Sequence, residues 1–130
     1  MSDDMFEQGM TTRREVLGDA HVDRAMAGAD SFTADFQEYI TRAAWGAVWS
    51  RPGLDRRMRS CITVAMLAAQ GSEHELALHV RAAVRNGVSV EEIKEILLQV
   101  AVYAGVPRAN RAFSIARDAL AEAGPGKEST

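Results

Sequence analysis

Glu75 and His79 are the two side chains whose types and spacing most readily do chemistry in this chain of 130 residues. Four residues apart on a helix, they share one face, where a carboxylate and an imidazole can exchange a proton or hold one another by a hydrogen bond. An imidazole titrates near neutral pH, so His79 is the natural proton donor of the pair and Glu75 its orienting or relaying partner. The same stretch, Gly71-Ser72-Glu73-His74-Glu75, also reads as a helix start, with Ser72 as N-cap and Glu75 as the return arm of a capping box. Capping alone would account for both residues, and His79, set between Leu76 and Ala83, would equally suit the edge of a core stripe. His74 adds no zinc site. A metal-binding helix needs histidines four apart, whereas His74 and His79 are five apart and diverge by about 140°.

The elements that must position this pair are helices. The spacing predicts one from about Thr12 to Ala27, ending at Gly28. A second, capped by Ser31 or Thr33, stops before Arg51-Pro52-Gly53. A third runs from about Asp55 to Gly71, and a fourth from Glu73 to Asn86. Ser89 and Glu92 form a capping box that opens a fifth, which breaks near Gly105. Pro107 stands in the first turn of a sixth, ending near Ala123. No segment alternates as a surface strand does, so the fold class is all-α with about six helices. Residues 1–10 read as a flexible arm, 11–123 as one helical domain, and 124–130 as a polar, Gly/Pro-rich tail too poor in apolar residues to fold.

Composition narrows the classes further. Apolar residues make up 47% and charged residues 25%, ordinary values for a globular chain. A net charge of −3 gives no basic footprint for nucleic acid. No apolar run approaches the roughly 20 residues of a membrane span, and no leader precedes the first charged residues, so the expectation is a cytoplasmic protein. One cysteine, Cys61, excludes an intrachain disulfide or a Cys-x-x-Cys pair, and its apolar surroundings suggest an inert buried thiol.

Two predicted helices are apolar nearly all round: Cys61–Ala69 is broken only by Thr63, and Ile96–Ala104 only by Gln99. Such helices must be covered on several sides, by the chain or by a second subunit. In the second helix, Phe36, Ile40, Ala43 and Ala47 form one stripe, while Trp45 and Trp49 fall about 180° and 220° from Phe36 at the α-helical step. Two tryptophans opposite the core stripe should meet a neighbouring helix, a subunit or a pocket.

Four segments carry a family resemblance: Val16–Asp23, Ala43–Leu54, Leu76–Ala83 and Leu97–Pro107. The runs Trp-Gly-Ala-Val-Trp-Ser-Arg-Pro-Gly and Tyr-Ala-Gly-Val-Pro are the most specific. On these residues the chain resembles the carboxymuconolactone decarboxylase family of the alkylhydroperoxidase D-like superfamily. The resemblance implies an intertwined helical subunit assembled into a homo-oligomer, commonly a hexamer. It also implies decarboxylation of 4-carboxymuconolactone, a small dicarboxylate lactone, to the β-ketoadipate enol-lactone in protocatechuate catabolism. The peroxidases of the superfamily use Cys-x-x-Cys with a following histidine. Here Ser72 and Glu75 stand at the cysteine positions, His79 at the histidine position, and Ser60 where those enzymes carry a glutamate. Neither serine nor carboxylate performs thiol–disulfide exchange, which disfavours a peroxidase. The rival reading is a non-catalytic helical oligomer or adaptor on the same scaffold.

The implied reaction sets its own demands. The lactone is its own electron sink, so no cofactor and no metal is required. The protein must clamp the surviving carboxylate, face the lactone oxygen with a donor and protonate carbon. The resemblance places His79 as acid and Glu75 as its partner. Arg51 is the candidate clamp, with Arg81 and Arg85 as weaker options. His21 is a second donor or a surface residue, and Trp45, Trp49 and Tyr103 are walls that exclude water.

Overall fold

The computed structural model describes residues 4–127, with side chains described through Glu122. Among these residues the chain is helical with no strand, in seven α-helices and one π-helical segment. It divides into two compact units, Met1–Arg56 and Arg57–Thr130.

The first unit holds α1 (Asp4–Leu17), α2 (Asp19–Ala27) and α3 (Ala34–Ile40), which passes directly into a π-helical segment (Thr41–Trp49). Most of the arm expected over residues 1–10 is therefore the first turns of α1; residues 1–3 lie outside the described ones. Asp4 and Glu7 in its first turn complement the helix dipole. Its inner face is Gly9, Thr12, Arg13 and Val16, the 3–4–7 spacing of an amphipathic helix. Gly9 is required there, because a Cβ would run into the Thr41 carbonyl and the Gly46 backbone. Gly46 answers it from the other side, where a Cβ would meet Met5. The helix expected over residues 12–27 is in fact two, because Gly18 takes φ 92°, a conformation that breaks the run at little cost to glycine alone.

The π segment overturns the expected stripe. Phe36 is 59% exposed and Ala47 is exposed, whereas Thr41, Trp45 and Gly46 are buried. A π-helix bonds i to i+5, so each turn carries one residue more and the α-helical angular reading fails past Ile40. The face towards α1 is Thr41–Trp45–Gly46, and the first tryptophan is core.

The second unit comprises nearly all of α4 (Arg56–Gln70), then α5 (Glu73–Arg85), α6 (Val90–Ala104) and α7 (Val106–Lys127). α7 packs on both α5 and α6, through Ala112, Ala116 and Ala119, whose small side chains allow close approach. Leu76, Val80, Ile93, Leu97 and Val64 complete a core from all four helices. Each fully buried aliphatic side chain of this kind is worth about 1.5–3 kcal/mol. α7 continues to Lys127 where the sequence predicts a tail from residue 124; residues 128–130 lie outside the described ones.

Candidate active site

The start of α5 is built by a turn with little slack. Gly71, at φ 75°, lets the Ser72 N–H reach back to the Leu67 carbonyl at 3.0 Å and close α4. Ser72 is at once the closing residue of α4 and the N-cap of α5, with φ −84° and ψ 82° rather than the extended backbone of an ordinary N-cap. Its hydroxyl makes no cap bond and donates instead to Gln70 Oε1 at 3.1 Å. The capping box that the sequence permits at Ser72 and Glu75 is not formed. Glu75 is exposed and enters no hydrogen bond or ion pair among the described residues.

His79 follows one turn later and is half-buried, with Nδ1 shielded from solvent. Helical register puts Glu75, His79 and Asn86 within about 40° of one another. Asn86 donates from Nδ2 to the Ala82 carbonyl at 2.7 Å and to the hydroxyl of buried Ser60 at 3.3 Å. This face thus carries a solvent-facing carboxylate, a half-buried imidazole and a half-buried amide bonded to a buried hydroxyl. Such a gradient suits a proton entering from water and being delivered in a drier place.

Tyr103, expected as a wall, is 84% exposed. It borders a groove of about 520 Å³ between α4 and α6 that Cys61, Met66 and Gln99 also line. Cys61 is half-buried on that groove rather than enclosed in the core, because α4 turns only Ser60, Val64 and Ala68 fully inward. Arg81 is engaged with Glu122 at 3.1 Å.

The remaining expected residues belong to the first unit. Trp45 and Trp49 stack with centroids 5.0 Å apart and planes tilted by 32°. Ser50 donates to the Trp45 carbonyl at 2.7 Å and lies 2.7 Å from the Thr12 hydroxyl, which pins the end of the π segment to α1. Arg51 follows immediately, its side chain exposed and its N–H donated to the Val48 carbonyl at 3.1 Å. His21 is half-buried on α2.

Arg13 escapes the sequence reading. It is 4% exposed, and among the described residues its guanidinium donates to neutral groups, Thr41 Oγ1 at 3.1 Å, Gln37 Oε1 at 3.0 Å and Met26 Sδ at 3.8 Å. Burial, then the neighbouring Arg14 charge, pushes its pKa down. Arg14 by contrast pairs with Asp19 at 3.1 Å and Asp23 at 2.9 Å. The signal that separates the two is the spacing of Gly9, Thr12 and Val16, which puts position 13 on the inner face. Arg13 ties α1 to the point where α3 becomes π-helical and so fixes where Trp45 and Trp49 stand.

The described residues form helices and no strand, α5 carries a carboxylate and an imidazole on one face, and the single cysteine of the sequence cannot supply a Cys-x-x-Cys pair. The family model described as carboxymuconolactone decarboxylase matches residues 34–118. The chain belongs to the carboxymuconolactone decarboxylase family. It is 46% identical over 123 residues to a 4-carboxymuconolactone decarboxylase of Acinetobacter baylyi, covering 95% of this chain and 92% of that one. It is 42% identical over 116 residues to a nitrosuccinic acid decarboxylase of Metarhizium robertsii, covering 89% and 81% respectively. A 4-carboxymuconolactone decarboxylase of Pseudomonas putida matches at 54% identity over 41 residues, 32% of this chain and 85% of that one.

Proposed function

We propose that this protein is a cofactor-independent carboxy-lyase that converts 4-carboxymuconolactone to the β-ketoadipate enol-lactone in aromatic-compound catabolism. The observation that carries the reading is the 46% identity across 95% of the chain to a decarboxylase of that name. The uncapped Glu75 one helical turn from His79 supports it.

The chemistry balances on the substrate and one proton. The bond from the ring carbon to its carboxylate breaks, carbon dioxide leaves, and the electron pair moves through the ring double bond onto the lactone carbonyl oxygen. His79, as imidazolium, then delivers a proton to carbon, and solvent restores it through Glu75. Arg51 holds the carboxylate that survives. Trp45, Trp49 and Tyr103 keep water from the leaving group, and His21 donates towards the developing oxyanion. Residues 11–123 form the functional module, a span that contains the whole family match.

The working form is a homo-oligomer, a hexamer arranged as a trimer of dimers. Support comes from apolar side chains left outside the core of the second unit: Met66 is 56% exposed, Val102 76%, Tyr103 84% and Val106 69%. Light scattering that showed a stable species of 14.1 kDa at micromolar concentration would overturn this. The sequence holds one cysteine, Cys61, and so no intrachain disulfide, which fits a cytoplasmic setting. No helix among the described residues is long and apolar enough to cross a membrane.

The test is an ultraviolet assay of chelator-treated protein with 4-carboxymuconolactone generated in place. Turnover without added metal or cofactor is the expected result; its absence in a folded oligomer would sink the reading. Nitrosuccinic acid belongs in the same assay, because the 42% identity to a decarboxylase named for it favours a second acid that carries its own electron sink.

A further inference from the structure

At the start of α7 two arginines border a cavity of about 220 Å³ set against the α4–α5 turn. Arg111 is already engaged: its Nε and Nη2 donate to the two oxygens of Glu73, each at 2.9 Å, and the pair holds the Glu73 carboxyl below its usual range. Arg108 is different. Its guanidinium lies over Gly71 in the place a Cβ would occupy and adds its charge to those that lower the Glu73 carboxyl, without a hydrogen bond or close ion pair of its own among the described residues. Glycine at φ 75° thus serves two ends here, turning the chain and leaving room for a cation to lie against the backbone.

The charges across this cavity do not cancel. Two guanidinium groups face one carboxylate, which leaves a net single positive charge and, among the described residues, one guanidinium not engaged bidentately. A fork of this kind matches a carboxylate bidentately. The rest of the lining, Leu76 and Ile115 among it, is apolar, which suits a carbon body attached to the anion better than a bare inorganic ion.

The cavity is not part of the Glu75–His79 face. The α5 residues that line it are Glu73 and Leu76. At 100° per residue these are turned about 160° and 100° from Glu75, whereas His79 is turned only about 40°. Measured from His79 the same two residues are turned about 120° and 60°, so Glu73, the charged α5 residue of the cavity, lies away from the pair with Leu76 between them.

We propose that this cavity is a second anion site, separate from the catalytic face, that takes a small organic carboxylate in the fork of Arg108, with Glu73 acting as an internal competitor for Arg111. The proposal stands independently of which acid the enzyme decarboxylates.

The test uses the full-length protein and succinate as probe, followed by equilibrium dialysis or ligand-observed NMR, with inorganic phosphate as the comparison. Wild type should bind succinate saturably, and Arg108→Gln should weaken that binding by about tenfold or more, the usual scale for losing a charge-assisted pair. Arg108→Lys, which keeps the charge and loses the fork, should fall between the two. Glu73→Gln should tighten binding, since it releases Arg111 and removes a like charge. His79→Gln should leave it unchanged, even though that variant is expected to lose decarboxylation. Each protein is checked for an unaltered melting temperature; Arg108 and Glu73 are both exposed, so their substitution leaves the core intact. The proposal is overturned if wild type shows no saturable succinate binding, or if Arg108→Gln binds as wild type does. Binding abolished by His79→Gln would mean that succinate occupies the catalytic face alone. Phosphate binding as tightly as succinate would remove the organic acid from the assignment.

Discussion

Ser72-Glu73-His74-Glu75 and Ser89-Val90-Glu91-Glu92 carry the same capping pattern at the starts of consecutive helices, α5 and α6. At the second, Glu92 N–H donates to Ser89 Oγ at 3.0 Å and Ser89 N–H to Glu92 Oε1 at 2.9 Å, so the box is closed. At the first, neither bond is made. The cause is one residue in the turn. Both preceding helices end with a glycine at positive φ, and the residue after that glycine donates back into the helix, Ser72 to Leu67 at 3.0 Å and Val88 to Ala83 at 2.9 Å. After α5 that task falls to buried Val88, so Ser89 is free to extend, with ψ 160°. After α4 it falls to Ser72 itself, whose ψ of 82° turns its hydroxyl elsewhere. A shortened turn withholds Glu75 from capping and leaves its carboxylate available one turn from His79.

If the open box is the working end, its chemistry should be severable from stability, and the largest effect should be at His79. His79→Gln keeps size and a hydrogen bond but has no proton to give, so kcat should fall by about 10² to 10⁴ with little change in KM. Retention of more than half the wild-type kcat in a folded protein would move the donor elsewhere, with His21 next. Glu75→Gln should lower kcat less if the carboxylate only orients the imidazole, and comparably if it relays the proton. Were Glu75 a cap, glutamine would replace it at almost no loss.

The serines separate the two boxes on the other axis. Ser89→Ala removes a formed cap and should cost about 1 kcal/mol of unfolding free energy, with kcat unchanged. Ser72→Ala removes a hydroxyl that caps nothing and should cost clearly less. Equal losses, measured by urea unfolding, would show that Ser72 caps in solution and would remove the structural reason for assigning Glu75 to chemistry.

What the sequence makes legible follows the same division. The Ser89–Glu92 box, the glycine helix ends and the helical character of Cys61–Ala69 and Ile96–Ala104 are all read from local spacing, and local spacing determines them. The Ser72–Glu75 pattern misleads because its outcome depends on how the preceding helix closes. The stripe of Phe36, Ile40, Ala43 and Ala47 is misread because a π-helical turn, held by Thr41 Oγ1 on the Gln37 carbonyl at 2.8 Å and by Arg13 on both residues, shifts the angular register. Arg13 itself hides beside Arg14, since charge type argues for the surface while the spacing of its neighbours argues for the core. Glu75 and His79 stand out in sequence as a pair; the uncapped helix start that gives Glu75 its freedom does not.

The smallest effect is also the most diagnostic of a closed box, because it has a sign. The Glu92 carboxyl is held below the usual carboxylate range, first by the Ser89 backbone N–H and then by Arg57, with which it also pairs. A carboxyl whose folded pKa is depressed contributes stability at pH values above its unfolded pKa, and that contribution is lost as the pH falls through the folded value. Glu92→Gln cannot titrate. At neutral pH it should therefore be less stable than wild type, and the gap should narrow as the pH is lowered through the carboxylate range. Urea midpoints for both proteins between neutral and acidic pH measure this directly. A gap that stays constant throughout would mean that Glu92 gains nothing from its charge, and that the box at α6 holds by hydrogen-bond geometry alone.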